Sequence, residues 1–445
     1  MSTLLIKNGT VVTFGNPCKV LPKHSVLIEN GIIKSIIDEN IPCKILADRI
    51  IDADNKIIMP GMINTHMHFY STMVRGLYKT VPSSSFREVL ENLWWRLDKK
   101  LTLDDVYYST MVMLLHAIRC GTTTFIDHHA SPYAIEGSLQ KISEAIKNTG
   151  LRGCLCYELS DRDGQKITDL GIEENVSFIK YCKNINDNQL KAMFGLHASF
   201  TLSEDTLNRV AKISNDLKTG VHIHVAEAIS DQEETIKICG KRVVQRLYEH
   251  GILGRNTIAA HCIHLDDNEI ELLSKTDTIV VHNPQSNMNN AVGVADILKM
   301  QNFGIKVGLG TDAMTVNMLE ELRSSMWVQH LRANNPTCGF MEVTNTLFVN
   351  NPNIATRIWN DTKIGIIAEG YVGDVIVVDY DPPTPFDNRT ILGHLVFGFA
   401  QQAKVKTTII NGKILMENGK LVIPMDEEMI FAKSRELSNK LWERF

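Results

Sequence analysis

The sequence contains no Cys-x2-Cys pair, and its nine cysteines form an odd, scattered set. That excludes a disulfide-stapled scaffold and a thiolate zinc ribbon, and it predicts reduced thiols in a cytoplasm. Long hydrophobic runs are missing as well. The longest are short, such as Val375–Val378, far below the ~20 apolar residues of a membrane span. The start, Met1-Ser2-Thr3-Leu4, has neither a charged n-region nor a long apolar h-region, so no signal peptide is expected. Basic charge is not in excess. Lys and Arg total 46 against 51 Asp and Glu, a net charge of −5, which leaves no electrostatic footprint for nucleic acid or an anionic membrane surface. No Gly-x-Gly-x-x-Gly follows the first strand and no Gly-Lys-Ser/Thr loop occurs, so nucleotide-fold signatures are absent. Internal repeats and low-complexity tracts are absent too.

What remains is the balance of an ordinary globular chain, 44% hydrophobic and 22% charged, which rules out wholesale disorder, collagen and coiled coil. A length of 445 residues exceeds one compact core and predicts two domains, one of them large. The first sixty residues read as β-structure: Leu4–Lys7, Val26–Ile28 and Ile32–Ile37 are β-branched runs. Asn8-Gly9 and Asn30-Gly31 between them are dipeptides that two-residue hairpin turns prefer. The same texture returns after residue 370, with Val375–Val378, Lys406–Ile410 and Lys413–Met416 punctuated by Asn411-Gly412 and Asn418-Gly419. Two β-rich ends around a different middle suggest one small sheet domain assembled from both termini; two unrelated β-caps are the alternative. From roughly residue 60 to 365, short apolar strands alternate with amphipathic stretches such as Glu204–Leu217, Gln232–His250 and Met318–Arg332. Strands are expected to end near His66, His128, Glu158, His197, Ala226, Cys262, Asn283 and Thr311. Eight strand–helix repeats in this span match an α/β chain folded as a (β/α)8 TIM barrel, ahead of a doubly wound open sheet. Residues 426–445 read as a closing amphipathic helix with Ile430, Leu437 and Leu441 on one side.

Fifteen histidines, several of them clustered, are the compositional hint of chemistry. In a barrel of this kind the carboxyl ends of the strands line the active site. Strand one ends in His66-Met67-His68, whose imidazoles, two residues apart on an extended segment, project to the same side and can reach one metal ion. Strand five carries His222-Ile223-His224 with Glu227 following, strand six ends in His261-Cys262-Ile263-His264, and strand eight leads through Gly310-Thr311 to Asp312. Singly, each histidine could be a satisfied core or loop residue. Jointly, four strands deliver His, His, His/Glu and Asp to one rim. Three imidazole nitrogens and a carboxylate oxygen suit Zn²⁺ or Fe²⁺ with an open position for water, whose pKa such an ion lowers toward neutrality. A neighbouring Glu can shuttle protons and a further His can polarise an electrophile. The inventory fits hydrolysis at an unsaturated carbon.

Pro60-Gly61-Met62-Ile63-Asn64-Thr65-His66-Met67-His68, His224-Val225-Ala226-Glu227, Ala260-His261-Cys262, His282-Asn283-Pro284-Gln285-Ser286-Asn287 and Gly310-Thr311-Asp312 together resemble the amidohydrolase superfamily. Within it the chain resembles the aminohydrolases that include S-adenosylhomocysteine and guanine deaminases and the triazine chlorohydrolases. Trp94-Trp95-Arg96-Leu97-Asp98 and Asp127-His128-His129-Ala130-Ser131-Pro132 look most like the SsnA branch, aminohydrolases linked by name to selenium metabolism. The resemblance implies a β-sandwich built from residues 1–58 and 366–425, a barrel over 59–365 and a closing helix over 426–445. It implies one divalent ion per chain, Zn²⁺ ahead of Fe²⁺, on His66, His68, His224 and Asp312. Glu227 would be the proton shuttle, His261 would orient or polarise the attacked group, and Asp312 would also accept the proton of the water. His197 matches a substrate-contacting histidine at the fourth strand. Asp98 stands where relatives acting on adenosine-type substrates carry a ribose-binding Glu. Gly171 precedes Ile172-Glu173-Glu174-Asn175 where those relatives carry an Arg, and the loop Ala313–Asn317 is shorter than theirs. Binuclear members bridge their ions with a carboxylated lysine at the end of strand four; here Ala192–His197 ends in histidine, and Lys191 lies at the opposite end. His222 and His264 read as structural, and at most one of His128 and His129 should face the pocket. The expected activity is hydrolytic deamination of an aminated purine, pterin, triazine or pyrimidine. Displacement of another leaving group such as halide, or a non-catalytic metal-binding role linked to selenium metabolism, are the alternatives. A cytoplasmic enzyme of a small molecule is expected, and by resemblance a homodimer.

Overall fold

Hydrogen bonding joins the β-rich ends of the chain into a single nine-stranded sheet, in which Ile57–Pro60 pairs with Thr3–Val12 on one side and Val375–Asp379 on the other. The computed structural model describes residues 2–41 and 45–445. Cys43 lies outside the described residues; the other eight cysteines are free thiols. The sheet curls until two hairpin turns meet: Gly373 N donates to Gly31 O at 2.7 Å, and a Cβ at Gly31 would lie 2.9 Å from Asn411 O. Asn30-Gly31, Asn411-Gly412 and Asn418-Gly419 form the expected turns, each asparagine at φ near 50° with its glycine at 70° to 82°. Asn8-Gly9 does not. The strand Thr3–Val12 runs straight through it, with Asn8 at φ 58° and the register broken on either side of Gly9. Positive φ serves a bulge as well as a turn. Asn8 N donates at 2.7 Å to Oε1 of Glu39, just past the strand Ile32–Asp38, which ties the bulge down.

Between the ends lie eight parallel strands: β1 (Met62–Met67), β2 (Thr122–His129), β3 (Arg152–Tyr157), β4 (Phe194–Ala198), β5 (Val221–Val225), β6 (Ile258–His261), β7 (Ile279–His282) and β8 (Val307–Leu309). Strands β1 to β3 pair in one sheet and β4 to β8 in another. Backbone bonds close the two into a barrel. His197 N donates to Leu159 O at 2.8 Å on one seam, and Thr311 N and Asp312 N both donate to His66 O at 3.0 Å on the other. These are the strands expected from sequence, with ends displaced by a residue or two. The stretch Gln232–His250, expected as one helix, is two (Ile229–Cys239 and Val243–Glu249), because Gly240 at φ 73° ends the first in a left-handed cap. The last helix, Glu427–Arg444, starts at an Asp426 cap and buries Ile430, Leu437 and Leu441 against the helix Leu103–Cys120. A buried ion pair joins sheet and barrel: Arg152 at the foot of β3 meets Asp374 Oδ2 at 2.9 Å.

Candidate metal centre and substrate cavity

Strand ends deliver the polar residues to one rim. His66 and His68 leave β1, His128 leaves β2, Glu158 follows β3, His197 leaves β4, His222 and His224 leave β5 with Glu227 beyond, His261 ends β6, and Asp312 follows β8. Four non-glycine residues here take left-handed backbone: Ala226 (47°), His261 (73°), Cys262 (54°) and Asp312 (53°). Each costs on the order of 1–3 kcal/mol and persists only where surrounding packing imposes it. Barrel strands aim side chains at the axis, and these reversals turn Glu227, His261 and Asp312 into the mouth.

The imidazoles are tied at Nδ1 and free at Nε2. His68 Nδ1 meets the carbonyl of His128 at 2.5 Å and His224 Nδ1 that of His197 at 3.0 Å. A carbonyl only accepts, so both Nδ1 atoms carry a proton and both Nε2 atoms are left facing inward. His66 Nδ1 lies 2.8 Å from His222 Nε2, while its own Nε2 is buried without a partner. These nitrogens converge: His68 Nε2 is 3.3 Å from His224 Nε2 and 3.2 Å from Asp312 Oδ1, and His66 Nε2 is 4.0 Å from the same oxygen. Inward-facing imidazole nitrogens around a carboxylate make a cation's donor set, and three nitrogens with one oxygen fit Zn²⁺ or Fe²⁺. Burial lowers His66 and His224 far below the ordinary imidazole range. Burial acts the same way on His68, but the hydrogen bond and charge of Asp312 outweigh it and bring the group up to about 9. Burial would raise Asp312, yet His68 holds it well below the usual carboxylate range.

Beyond this cluster His261 Nε2 stands 3.5 Å from both Asp312 Oδ2 and Glu227 Oε2, with its Nδ1 at 2.9 Å from Asn287 Oδ1. Burial, then the charges of Asp312 and Asp231, push the Glu227 carboxyl well above its ordinary range. Asp231 Oδ2 accepts from Glu227 N at 2.9 Å and so fixes where that residue leaves β5. A cavity opens on these groups, walled by Tyr70, Trp94, Trp95 and Phe200 and edged by Asp98 and Glu158. Arg162 approaches Asp98 Oδ2 at 3.3 Å and stacks on Trp95 at 4.5 Å. Burial brings Asp98 up to about 7 against that arginine's pull.

The residues expected from sequence thus meet, with His197 and Asp98 farther out on the cavity wall. His128 faces the cluster and His129 turns away to Ser131 Oγ at 2.9 Å. His264 bonds Val292 O at 2.7 Å, apart from the cavity. Gly171 is buried in the helix after β3 and is not among the cavity-lining residues; a Cβ there would come within 2.8 Å of Leu159 Cδ1. Lys191 donates to Asp187 O at the barrel's other end. Sequence reasoning missed Glu158, although the strand-end rule that found the others also marks it. It missed Arg162 and Asp231 because nothing in a loop or a helix start announces them.

A parallel barrel with this donor set and a carboxyl poised beside it has the equipment of a metal-dependent hydrolase. The model of the amidohydrolase family matches residues 57–415, and the chain belongs to that family. It is similar over its length to the 5-methylthioadenosine/S-adenosylhomocysteine deaminase of Syntrophomonas wolfei, 32% identical with 98% of this chain and 99% of that one covered. Among solved structures it superposes on a zinc-bound adenosine deaminase from Xanthomonas campestris with a TM-score of 0.87, at 22% identity over 99% and 98% of the two chains. It also superposes on the zinc-complexed atrazine chlorohydrolase TrzN from Arthrobacter aurescens with a TM-score of 0.81, at 20% identity over 98% and 100%.

Proposed function

We propose that this chain deaminates an aminated heterocycle hydrolytically, using one divalent ion, zinc ahead of iron, held by His66, His68, His224 and Asp312. The convergence of inward Nε2 atoms on the Asp312 carboxylate, with the Glu227 carboxyl pushed well above its ordinary range beside it, carries the reading. An ion held there would lower the pKa of a water. Asp312, ionised, takes a proton from the attacking water as it adds to the amino-bearing carbon. Glu227 gives its proton to the ring nitrogen, and His261, neutral and within 3.5 Å of both carboxyls, orients and polarises the attacked group. Asp312 then passes its proton to the amino group, which leaves as ammonia, while the hydroxyl proton returns to Glu227 as the carbonyl forms. His197 and Asp98 hold the substrate's outer edge. One ion rather than two is supported by the position of Lys191, too far down the barrel to bridge a pair whose repulsion needs a bridging anion.

The deaminase relative supports this reading, and the likeness to a chlorohydrolase keeps a second one: the same groups displacing halide. The setting is a cytoplasmic small-molecule enzyme. Eight described cysteines are free thiols, and no described helix is long and apolar enough to cross a membrane. Metal-replete protein assayed on purines, pterins, pyrimidines, aminotriazines and chlorotriazines should release ammonia. Chloride release with no ammonia from any member favours the second reading. Activity that tracks a second metal equivalent per chain removes the one-ion claim.

A further inference from the structure

Glu158 has no part in that scheme, yet its carboxylate stands at the reacting end of the cavity. It is buried at the exit of β3 and lines the cavity wall. Its ligand oxygen lies within 4.8 Å of the ligand nitrogens of His68, His128 and His224. Its near neighbours are His128 Nδ1 at 3.3 Å and His197 Nε2 at 3.7 Å. At most one hydrogen bond comes from these: His128 Nδ1 is within reach of Oε2, and 3.7 Å is beyond it. A carboxylate offers about four acceptor sites, so most of those on Glu158 are left for a donor in the cavity. Glu227 belongs to a different group, with His261 and Asp312. The cavity is thus lined by two carboxyls in separate clusters, Glu227 beside His261 and Asp312 and Glu158 beside His68, His128 and His224.

We propose that Glu158 accepts a hydrogen bond from a ring N–H beside the carbon that loses its amino group, and that this selects the substrate. The inference rests on the deamination reading. A carbon served by both carboxyls sits between two ring nitrogens: Glu227 protonates one, and the other, already N–H, faces Glu158. That is the cyclic guanidine of a 2-amino-4-oxopyrimidine edge, as in isocytosine, guanine or a pterin. In a cytosine- or adenine-type ring, the amino-bearing carbon has a bare nitrogen on one flank and a carbon on the other. Glu158 would then gain no donor from the ring, or meet a lone pair. Tyr70, Trp94 and Trp95 supply flat apolar walls for such a ring. Glu158 does not complete a second metal position instead. Nδ1 of both His68 and His224 is committed to a carbonyl, so each has one free nitrogen, and those two face Asp312 and each other.

The test compares isomers on metal-replete protein: isocytosine with cytosine, and guanine with adenine as the fused-ring pair. Ammonia release should favour the 2-amino-4-oxo member by about 10²-fold or more in kcat/KM, since a site built to pair an N–H rejects rings that lack it. Glu158→Gln should lower kcat/KM for isocytosine by a similar factor, mainly through KM, with bound metal per chain unchanged. Glu158→Asp should restore part of the preference. Equal or reversed preference in the wild type, or a preference that survives Glu158→Gln, overturns the inference while deamination stands. Loss of metal from Glu158→Gln also overturns it, making the residue a ligand. Calorimetry separates the two readings: isocytosine that binds more tightly than cytosine in a Glu158-dependent way, with no ammonia released from any member of the wider panel, sinks deamination and keeps the recognition. Absence of both turnover and binding of isocytosine and guanine overturns the inference, and ammonia release from another heterocycle then leaves deamination standing.

Discussion

Replacing His222 with leucine should weaken zinc binding without touching a donor atom. His222 lies behind His66, its Nε2 at 2.8 Å from His66 Nδ1. Burial and the neighbouring His128 hold it far below the ordinary imidazole range, so it is neutral, and in the tautomer that leaves His66 Nε2 open to an ion its Nε2 is the acceptor. Accepting from Nδ1–H keeps the His66 proton on that nitrogen and leaves Nε2 free for an ion. Without the acceptor, His66 must either keep a buried, unpaired N–H or move its proton to Nε2, where it blocks the ion. The unpaired donor costs about 1–3 kcal/mol, which at 1.4 kcal/mol per decade is about 5- to 150-fold in Kd. Outer partners of metal-bound histidines are worth about 10- to 100-fold, the same range. Competition of the metal-free protein with a chromogenic zinc chelator reads the affinity directly. Turnover at saturating zinc should stay near wild type, and His222→Gln, which keeps an acceptor, should recover part of the loss. A leucine variant that is folded and binds zinc as tightly as wild type refutes the argument.

Glu227→Gln keeps shape and metal but removes the transferable proton, so turnover should fall about 10²-fold or more; near-normal turnover of the zinc-loaded variant takes Glu227 out of the mechanism. Adenosylhomocysteine should be a far poorer substrate than the best free base, because among the described residues no lysine or arginine lines the cavity to meet its carboxylate; comparable kcat/KM values would disprove this. Asp98, brought from 3.8 to about 7 by burial, binds its proton more tightly folded than unfolded. Its stabilising contribution is therefore full below about pH 4 and lost as pH rises through 7, with a ceiling of about 4 kcal/mol. Asp98→Asn should gain on wild type in chemical denaturation between pH 5 and 8, and a constant difference across that range contradicts the shift.

How far these features were legible from the chain depends on how many residues must be seen together. Strand ends and the histidines on them are local: an apolar run followed by a polar residue names His66, His224, His261 and Asp312, because a parallel barrel forces every strand to end at one face. The same rule marks Glu158, but what it is for depends on two other strands, since its neighbours His128 and His197 lie on β2 and β4. The bond from His222 to His66 spans 156 positions, and only barrel closure brings β1 and β5 across the axis from each other. Asn8-Gly9 failed differently. Dipeptide chemistry specifies positive φ, and whether that becomes a turn or a bulge depends on whether a partner strand continues past it, as Ile57–Pro60 does here.

Zinc uptake itself should release a proton, and the source can be named. His66 and His224 are held neutral by burial, and Asp312 is ionised by its imidazole neighbours, so none of the three must lose a proton to bind an ion. His68 is the exception. The hydrogen bond and charge of Asp312 overcome its burial and bring it up to about 9, so near neutral pH a proton on Nε2 sits between imidazole and carboxylate, where a cation would. Ion and proton compete for one lone pair. Apparent zinc affinity should therefore rise roughly tenfold per pH unit from 6.5 to 8.5 and level off above about 9, with close to one proton released per ion over the lower range. Calorimetric titrations in buffers of different ionisation enthalpy count that proton, and Asp312→Asn, which removes the carboxylate that holds it, should flatten the dependence while weakening binding. Affinity that does not change between pH 6.5 and 8.5 would mean that His68 is already neutral and that Asp312 does not retain its proton.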